Sequence, residues 1–193
     1  MTRISSDSFD FIIVGGGVAG LRAAIELAPQ GRVLILTKSD TTESNTGYAQ
    51  GGIAAAVGAD DSPDQHFTDT LAAGAGLCDQ TAVRVLVEEG PSGVRELMAW
   101  GTRFDCDDHG ALVLGLEAAH SRRRILHAGD ATGREIGRAL WHRVAPLPSV
   151  STVSHAFVTD LVMRDGVVKL KIYRHEFLID YEVQTSTLLQ ATD

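Results

Sequence analysis

Three glycines near the start of the chain have the spacing of a dinucleotide-binding turn. Gly15, Gly17 and Gly20 form the pattern G-x-G-x-x-G within the stretch DFIIVGGGVAG. The first glycine permits a tight turn, the second lets the backbone approach a pyrophosphate, and the third lets a helix pack closely on the preceding strand. A helix beginning here would direct its N–H groups and its positive dipole end at the phosphates. We therefore predict that a dinucleotide contacts Gly15, Gly16, Gly17, Val18, Ala19 and Gly20.

The residues on both sides of this turn predict a strand, a helix and a second strand. Residues 11–14 (FIIV) are continuously apolar, as in a strand buried in a parallel sheet. Good helix formers follow from Val18, Gly31 ends the helix, and residues 32–37 (RVLILT) predict another buried strand. This order indicates an α/β fold, with a Rossmann-like domain built on a parallel sheet.

The end of the second predicted strand argues against a nicotinamide enzyme. In NAD-binding versions of the fold an acidic residue stands there to hold the ribose hydroxyls. This chain has Thr37 and Lys38 instead, with Asp40 and Glu43 only in the following loop. Lys38 is predicted to reach a phosphate oxygen of a dinucleotide, the alternative being a solvated loop lysine.

Residues 39–52 (SDTTESNTGYAQGG) are polar and glycine-rich and are predicted to form a loop. Long loops inside compact domains are usually functional. Hydroxyl, amide and backbone N–H groups in this loop are suited to wrapping a polar cofactor. The groups that this composition indicates are the hydroxyls of Ser44, Thr46 and Tyr48 and the amide of Gln50.

The rest of the chain is predicted to support this nucleotide-binding region. Residues 62–100 predict a helical insertion of three helices, the last two separated by Gly90 and Pro91. Within it, His66 is predicted to be a surface or partly buried helix residue and not a ligand. Residues 157–183 predict a small antiparallel β-meander, and residues 186–192 a further strand of the parallel sheet. Thr132 and Glu135 form a candidate capping box at a helix start.

Composition limits the classes of partner. The chain has 193 residues and a formal net charge of -8, which argues against nucleic acid or an anionic membrane. Its two cysteines, Cys78 and Cys106, are too few for a disulfide framework. The sequence shows no signal peptide and no apolar run long enough to cross a membrane, and we therefore predict a cytoplasmic location. The acidic and histidine residues of segment 105–127 match no common metal-site spacing, so no metal is predicted.

The stretch 44–53 (SNTGYAQGGI), set behind the glycine turn and the Thr-Lys pair, resembles the L-aspartate oxidase family of the succinate dehydrogenase and fumarate reductase flavoprotein superfamily. The resemblance implies an FAD enzyme that oxidises L-aspartate to iminoaspartate, with oxygen or fumarate as acceptor, on the route to quinolinate and NAD, with a functional link to quinolinate synthase. Respiratory members of the superfamily carry a histidine covalently attached to FAD where this chain has Asn45. The resemblance therefore implies noncovalent FAD. It also implies that the ribityl chain and ring of FAD are contacted by Asn45, Thr46, Gly47, Tyr48, Ala49, Gln50, Gly51 and Gly52.

A second motif concerns the substrate. Glu117 precedes the run 120–127 (HSRRRILH), as a glutamate does in L-aspartate oxidases, and the resemblance implies that it contacts the substrate amino group. A solvated loop glutamate is the alternative. From chemistry alone, an arginine of this run could bind a substrate carboxylate bidentately.

The resemblance extends from Asp10 to Thr192 and covers only the first portion of the family's length. The chain is therefore expected to be an amino-terminal portion of such an enzyme. Residues 1–193 are expected to form an incomplete FAD-binding domain without the capping domain and without a catalytic residue. Two other functions stay open. One is a fumarate- or succinate-converting flavoprotein subunit, which Glu117 and Asn45 disfavour; the other is a noncatalytic dinucleotide-binding fragment.

Overall fold

The computed structural model describes residues 9–41, 43–117, 119–164, 167–174 and 177–182. These residues form two compact units, one from the segments up to Thr46 and from Leu140 onward, the other from Gly47 to Ala139. The helices and strands of the described residues are, in chain order, β1 (Phe11–Val14), α1 (Val18–Leu27), β2 (Val33–Leu36), α2 (Asn45–Tyr48), β3 (Ile53–Ala54), α3 (Pro63–Ala73), α4 (Gln80–Ala99), β4 (Leu114–Gly115), β5 (Ile125–Leu126), α5 (Thr132–Val144), β6 (Val150–Val153), β7 (Phe157–Arg164), β8 (Val167–Arg174) and β9 (Phe177–Glu182).

The first unit contains a parallel sheet in the order β1-β2-β6. Strand β2 lies in the middle, and all four of its apolar side chains are buried. In the register of the sheet, Val14 pairs with Leu36, so β1 and β2 end at the same edge. Strand β2 is buried and carries apolar residues on both faces, as its continuous apolar run predicts. The predicted burial of residues 11–14 is wrong, because β1 is only partly buried and Val14 is 58% exposed. The predicted α/β fold with a parallel sheet is confirmed.

An antiparallel sheet in the order β7-β8-β9 also belongs to the first unit. It is the small β-meander expected from the sequence. Ile172 of β8 is completely buried and clusters with Phe9, Leu34 and Leu36, so this sheet shares a core with β2. The further strand predicted at residues 186–192 lies outside the described residues.

The second unit contains the helices α3 and α4. Ser62 caps α3 by accepting a hydrogen bond from the Gln65 N–H, and Asp79 caps α4 by accepting one from the Ala82 N–H. The predicted break at Gly90 and Pro91 is wrong, because α4 continues through Pro91 to Ala99.

Buried packing explains why α4 is not interrupted. Val83, Val87, Pro91 and Val94 recur every three or four residues and are all buried, so they form one continuous apolar face. Proline removes one helical hydrogen bond and crowds the preceding turn. The burial of this face outweighs that local cost.

The second unit also has a small antiparallel sheet in the order β3-β5-β4. Strands β4 and β5 form a hairpin in which Gly115 pairs with Ile125. The connection between them carries Glu117, and Gly52 immediately precedes β3. This sheet therefore sets the positions of two predicted site segments.

Two local predictions need correction. Residues 39–52 are not loop throughout, because Asn45–Tyr48 form a helical turn. Thr132 and Glu135 do not form a capping box: the Thr132 hydroxyl accepts from the Ala128 N–H, and the Glu135 carboxylate accepts from the Arg103 N–H. Glu135 is bonded to Arg103, 32 residues away, and to Arg138, and Thr132 to Ala128, so both members of the expected pair have other partners. None of the described helices has both the length and the apolar character needed to cross a bilayer.

Candidate functional site

The glycine turn has a geometry that side chains would prevent. Gly15 has a φ of 109°, a conformation that L-residues other than glycine rarely adopt. A Cβ on Gly20 would collide with the carbonyl oxygen of Gly15 and lie 3.1 Å from Cγ2 of Ile13. On Gly16 it would lie 2.7 Å from the ring of Trp141. The turn therefore packs closely against its neighbours in the fold. Because Gly20 has no side chain, α1 lies directly against the end of β1.

The N-terminus of α1 begins at this turn. Gly17 is its N-cap residue and offers no side chain, and the first turn of the helix holds no acidic residue. The Val18 N–H donates to Oγ1 of Thr46 over 3.2 Å, and the same oxygen is 3.3 Å from where a Cβ on Gly17 would stand. Thr46, predicted from a separate segment to contact the cofactor, thus lies directly beside the glycine turn.

Lys38 lies at the same edge of the parallel sheet. It follows β2 by two residues and is exposed, and the Gly15 N–H donates to the Leu36 carbonyl over 2.8 Å. Thr37 is buried, and its hydroxyl donates to the Ser39 carbonyl. The structure therefore brings Lys38 to the sheet edge from which the glycine turn leads.

The predicted cofactor residues of the second unit, 47–52, lead into β3. Tyr48 is 66% exposed, and the carbonyl of Ala49 accepts from the Gly133 N–H over 3.1 Å. Gly52 is packed tightly, because a Cβ there would collide with Ile125 and lie 2.9 Å from Cε1 of His127. Contacts of Ala49 and Gly52 therefore hold this segment in place. Residues 48–51 are exposed and present polar atoms to solvent.

Glu117 lies in the β4–β5 hairpin connection, beside His127. Its Oε1 is 3.4 Å from Nε2 of His127, and the two side chains are 50% and 29% exposed. A carboxylate and an imidazole at this separation form an ion pair when the imidazole is protonated. Glu117 is therefore not an isolated loop side chain, and the structure places it against a histidine that contacts Gly52.

A buried ionic cluster in the second unit was not foreseen from the sequence. Arg124 is completely buried; its Nε and Nη2 donate to the two carboxylate oxygens of Asp61, each over 2.8 Å, and its Nη1 donates to Oδ2 of Asp69 over 2.7 Å. The same Asp69 oxygen accepts both the N–H and the hydroxyl of Ser121. Two carboxylates therefore occupy the Arg124 guanidinium, and the hypothesis that an arginine binds a substrate carboxylate cannot apply to this residue.

Two histidines adjoin the cluster. Nδ1 of His120 lies 3.2 Å from Nη1 of Arg124, and its ring centroid is 5.5 Å from that of His66. His66 is 5% exposed, so its expected position at or near the surface is wrong. Asp61 and Asp69 lie 63 and 55 residues from Arg124 in the chain, and no local pattern connects such distant positions.

The cluster shifts the pKa values of its members. Burial by itself disfavours the charged form of Asp69, but hydrogen bonds from Ser121, Gln65 and Arg124 outweigh it and hold the pKa of this carboxyl far below its usual range. Burial, and then the positive charge of Arg124, lower the pKa of His66 below its ordinary value of 6.5. Asp69 is therefore an anion and His66 a neutral imidazole in the folded protein at neutral pH.

Residues 10–180 match the family model described as the FAD binding domain, so the chain belongs to the FAD-binding domain family of flavoproteins. Its cofactor is FAD. The close-packed glycine turn and a helix N-terminus whose N-cap residue, Gly17, has no side chain fit a dinucleotide pyrophosphate, which needs backbone N–H groups at short range.

Within that family the chain is similar to L-aspartate oxidases. It is 49% identical over 164 residues to the chloroplastic L-aspartate oxidase of Arabidopsis thaliana, covering 84% of this chain and 25% of that protein. It is 52% identical over 155 residues to L-aspartate oxidase of Streptomyces coelicolor, covering 79% of this chain and 27% of that protein. These matches confirm the resemblance inferred from the motifs. The chain spans about a quarter of the length of these relatives.

Solved structures show the same fold. The quinol fumarate reductase FrdA of E. coli has a TM-score of 0.86 at 29% identity, covering 95% of this chain and 32% of that one. The Mycobacterium smegmatis Sdh1 complex has a TM-score of 0.84, also at 29% identity, covering 94% of this chain and 34% of that one. The expected relationship to this superfamily is confirmed.

Replacing Arg124 is expected to destabilise the second unit strongly. Arg124→Met leaves the carboxylates of Asp61 and Asp69 buried without their cation, so the free energy of unfolding should fall by about 3–5 kcal/mol. The neighbouring Arg123 is exposed, and Arg123→Met should change stability by no more than about 0.5 kcal/mol. Urea unfolding measures both; equal effects of the two substitutions would contradict the importance of the cluster.

The stability should also depend on His66 at mildly acidic pH. Because the folded-state pKa of His66 lies below 6.5, the unfolded chain binds the proton first, and stability present above pH 6.5 is lost as the pH falls toward the folded-state pKa. We expect wild type to lose more unfolding free energy than His66→Gln between about pH 7.5 and pH 5. Urea titrations at the two pH values measure this difference, and parallel losses in both proteins would disprove it.

Proposed function

We propose that these residues are the FAD-binding part of an enzyme that oxidises L-aspartate to iminoaspartate, with oxygen or fumarate as acceptor, on the route to quinolinate and NAD. The observation that carries this proposal is the near 50% identity to L-aspartate oxidases over about four fifths of the chain. The placement of Glu117 against His127, which itself contacts Gly52, supports it. The link to quinolinate synthase and the cytoplasmic location stay predictions.

In the proposed enzyme, residues of the first unit hold the cofactor. The N–H groups at the start of α1 bind the pyrophosphate of FAD, and Gly15 and Gly20 let the backbone come close enough to do so. Lys38 adds a positive charge at the same sheet edge. Thr46 orders the first turn of the helix through Val18.

Residues 47–52 are proposed to contact the ribityl chain and the ring of FAD. Asn45 cannot form the histidyl bond of the respiratory relatives, so the flavin is held without a covalent bond. When bound, FAD supplies the hydride acceptor for the oxidation.

Glu117 is proposed to recognise the substrate. Its carboxylate binds the α-ammonium group of L-aspartate, and this contact favours aspartate over succinate or fumarate, which carry no ammonium. Arg124 does not bind a substrate carboxylate in this proposal, because Asp61 and Asp69 occupy its guanidinium.

Conversion of fumarate or succinate is the second candidate function. It is favoured by the structural similarity to E. coli quinol fumarate reductase and the M. smegmatis Sdh1 complex. Comparing aspartate and succinate turnover by a polypeptide of the relatives' full length that contains these residues separates the two. Turnover of succinate alone would end the aspartate proposal.

The flavin itself provides a direct test. The purified chain should show the absorbance bands of oxidised flavin and release free FAD on denaturation. Flavin that stays attached to the denatured chain would disprove noncovalent binding. A colourless chain that binds NAD but not FAD would contradict the binding-site assignment.

The contact between Thr46 and Val18 should contribute to FAD affinity. Thr46→Val keeps the side-chain shape but removes the acceptor for the Val18 N–H. A net hydrogen bond is worth about 0.5–1.5 kcal/mol, so the Kd for FAD should rise about 2- to 12-fold. Thr46→Ser keeps the hydroxyl and is the matched control. Titration of FAD fluorescence measures both, and equal affinities of the two variants would contradict the role of this bond.

Glu117→Gln should change substrate choice in the full-length enzyme. It removes the charge that binds ammonium while keeping the size of the side chain, and a charge-assisted hydrogen bond is worth about 1.5–3 kcal/mol, so KM for L-aspartate should rise about 10- to 150-fold. The Kd for succinate should not rise. Steady-state kinetics and flavin absorbance titrations measure the two quantities, and an unchanged KM would show that Glu117 is a solvated loop residue.

A further inference from the structure

We propose that His127 is a positioning residue for Glu117, holding its carboxylate in the orientation that receives the substrate ammonium group. The proposal rests on the proposed function of Glu117. Its starting observation is the 3.4 Å separation between Nε2 of His127 and Oε1 of Glu117. A carboxylate has two oxygens with about four acceptor sites, so a contact at Oε1 leaves Oε2 able to accept from an ammonium group.

Two glycines leave room for the imidazole ring. A Cβ on Gly115 would lie 2.9 Å from Nε2 and 3.3 Å from Cδ2 of His127, and one on Gly52 would lie 2.9 Å from Cε1. All three distances are shorter than side-chain atoms normally tolerate. The ring therefore packs flush against backbone on two sides, which restricts its rotation. Gly52 is also a predicted flavin contact, so the ring lies beside the segment proposed to hold the cofactor.

The backbone around His127 is fixed as well. The His127 carbonyl accepts from the Asp105 N–H over 2.8 Å. The next two N–H groups are also bonded, Ala128 to the Thr132 hydroxyl and Gly129 to the Asp105 carboxylate. Together with the preceding strand β5, these bonds hold the Cα of His127 on both sides. An imidazole on such a support can orient a more mobile partner.

Glu117 is the more exposed partner of the pair. It lies in the β4–β5 connection. The Arg124 N–H donates to the Gly115 carbonyl across the base of this connection, and Ser121 within it donates to Asp69. These contacts fix the connection but do not involve the Glu117 carboxylate. Its side chain is half exposed, so a free glutamate would sample several rotamers. The contact with His127 selects among them and lowers the entropy lost when substrate binds.

The test uses an FAD-loaded polypeptide of the relatives' full length that contains these residues. His127→Leu removes the donor, whereas His127→Gln retains an N–H donor of similar reach. We expect His127→Leu to raise KM for L-aspartate about 5- to 10-fold with kcat changed less than about twofold, and His127→Gln to restore most of the loss. The Kd for succinate, which carries no ammonium, should be the same in all three proteins.

A double substitution shows whether His127 acts through Glu117. If it does, adding His127→Leu to Glu117→Gln should raise KM for L-aspartate by less than about twofold beyond Glu117→Gln alone. Independent, multiplying effects would overturn the proposal. So would equal losses of aspartate and succinate binding, which indicate a structural role of the ring.

The two proposals fail differently. A wild-type enzyme that does not oxidise L-aspartate disproves the proposed function, and the role of His127 with it. An enzyme that oxidises aspartate, depends on Glu117 and is unaffected by His127→Leu disproves the positioning role alone. If His127→Leu does not retain FAD, His127→Asn replaces it, because the asparagine amide is too short to reach Glu117. Equal KM values for L-aspartate in His127→Asn and His127→Gln would then overturn the proposal.

Discussion

The close approach of α1 to β1 at Gly20 is the constraint on which the nucleotide-binding edge depends. A Cβ at this position would collide with the Gly15 carbonyl, so any larger residue must move either the helix or the turn. Moving the helix would separate the Val18 N–H from the Thr46 hydroxyl and shift the N–H groups proposed to bind the pyrophosphate of FAD. The absence of a side chain at Gly20 thus lets the strand, the turn and the helix dipole align in a way that suits the binding of an anion.

In the second unit, the burial of Arg124 has a comparable role. Three charged groups are removed from water, which is costly unless each is paired. Asp61 saturates one edge of the guanidinium, while Asp69 joins it to Ser121 in the connection that carries Glu117. The cluster therefore links a helix of the insertion to the hairpin that carries the predicted substrate residue.

The fold by itself does not select the substrate. The chain shares its architecture with a quinol fumarate reductase and the Sdh1 complex of M. smegmatis at 29% identity, and proteins of one fold commonly differ in reaction. The difference between a dicarboxylate and an amino dicarboxylate is one ammonium group. We propose that Glu117, with His127 3.4 Å from its carboxylate, recognises that group.

Local patterns in the sequence determined the strand, glycine turn and helix at the start of the chain, the second buried strand and the β-meander. These features follow from sterics and side-chain periodicity over a few neighbouring residues, which the sequence displays directly. Only the tertiary structure decided that α4 continues through Pro91, that Glu135 binds Arg103 instead of capping its own helix, and that Arg124 is paired with Asp61 and Asp69. In each case a partner or a buried face distant in the chain outweighs the local preference, and the energy of such a contact exists only once the chain has folded.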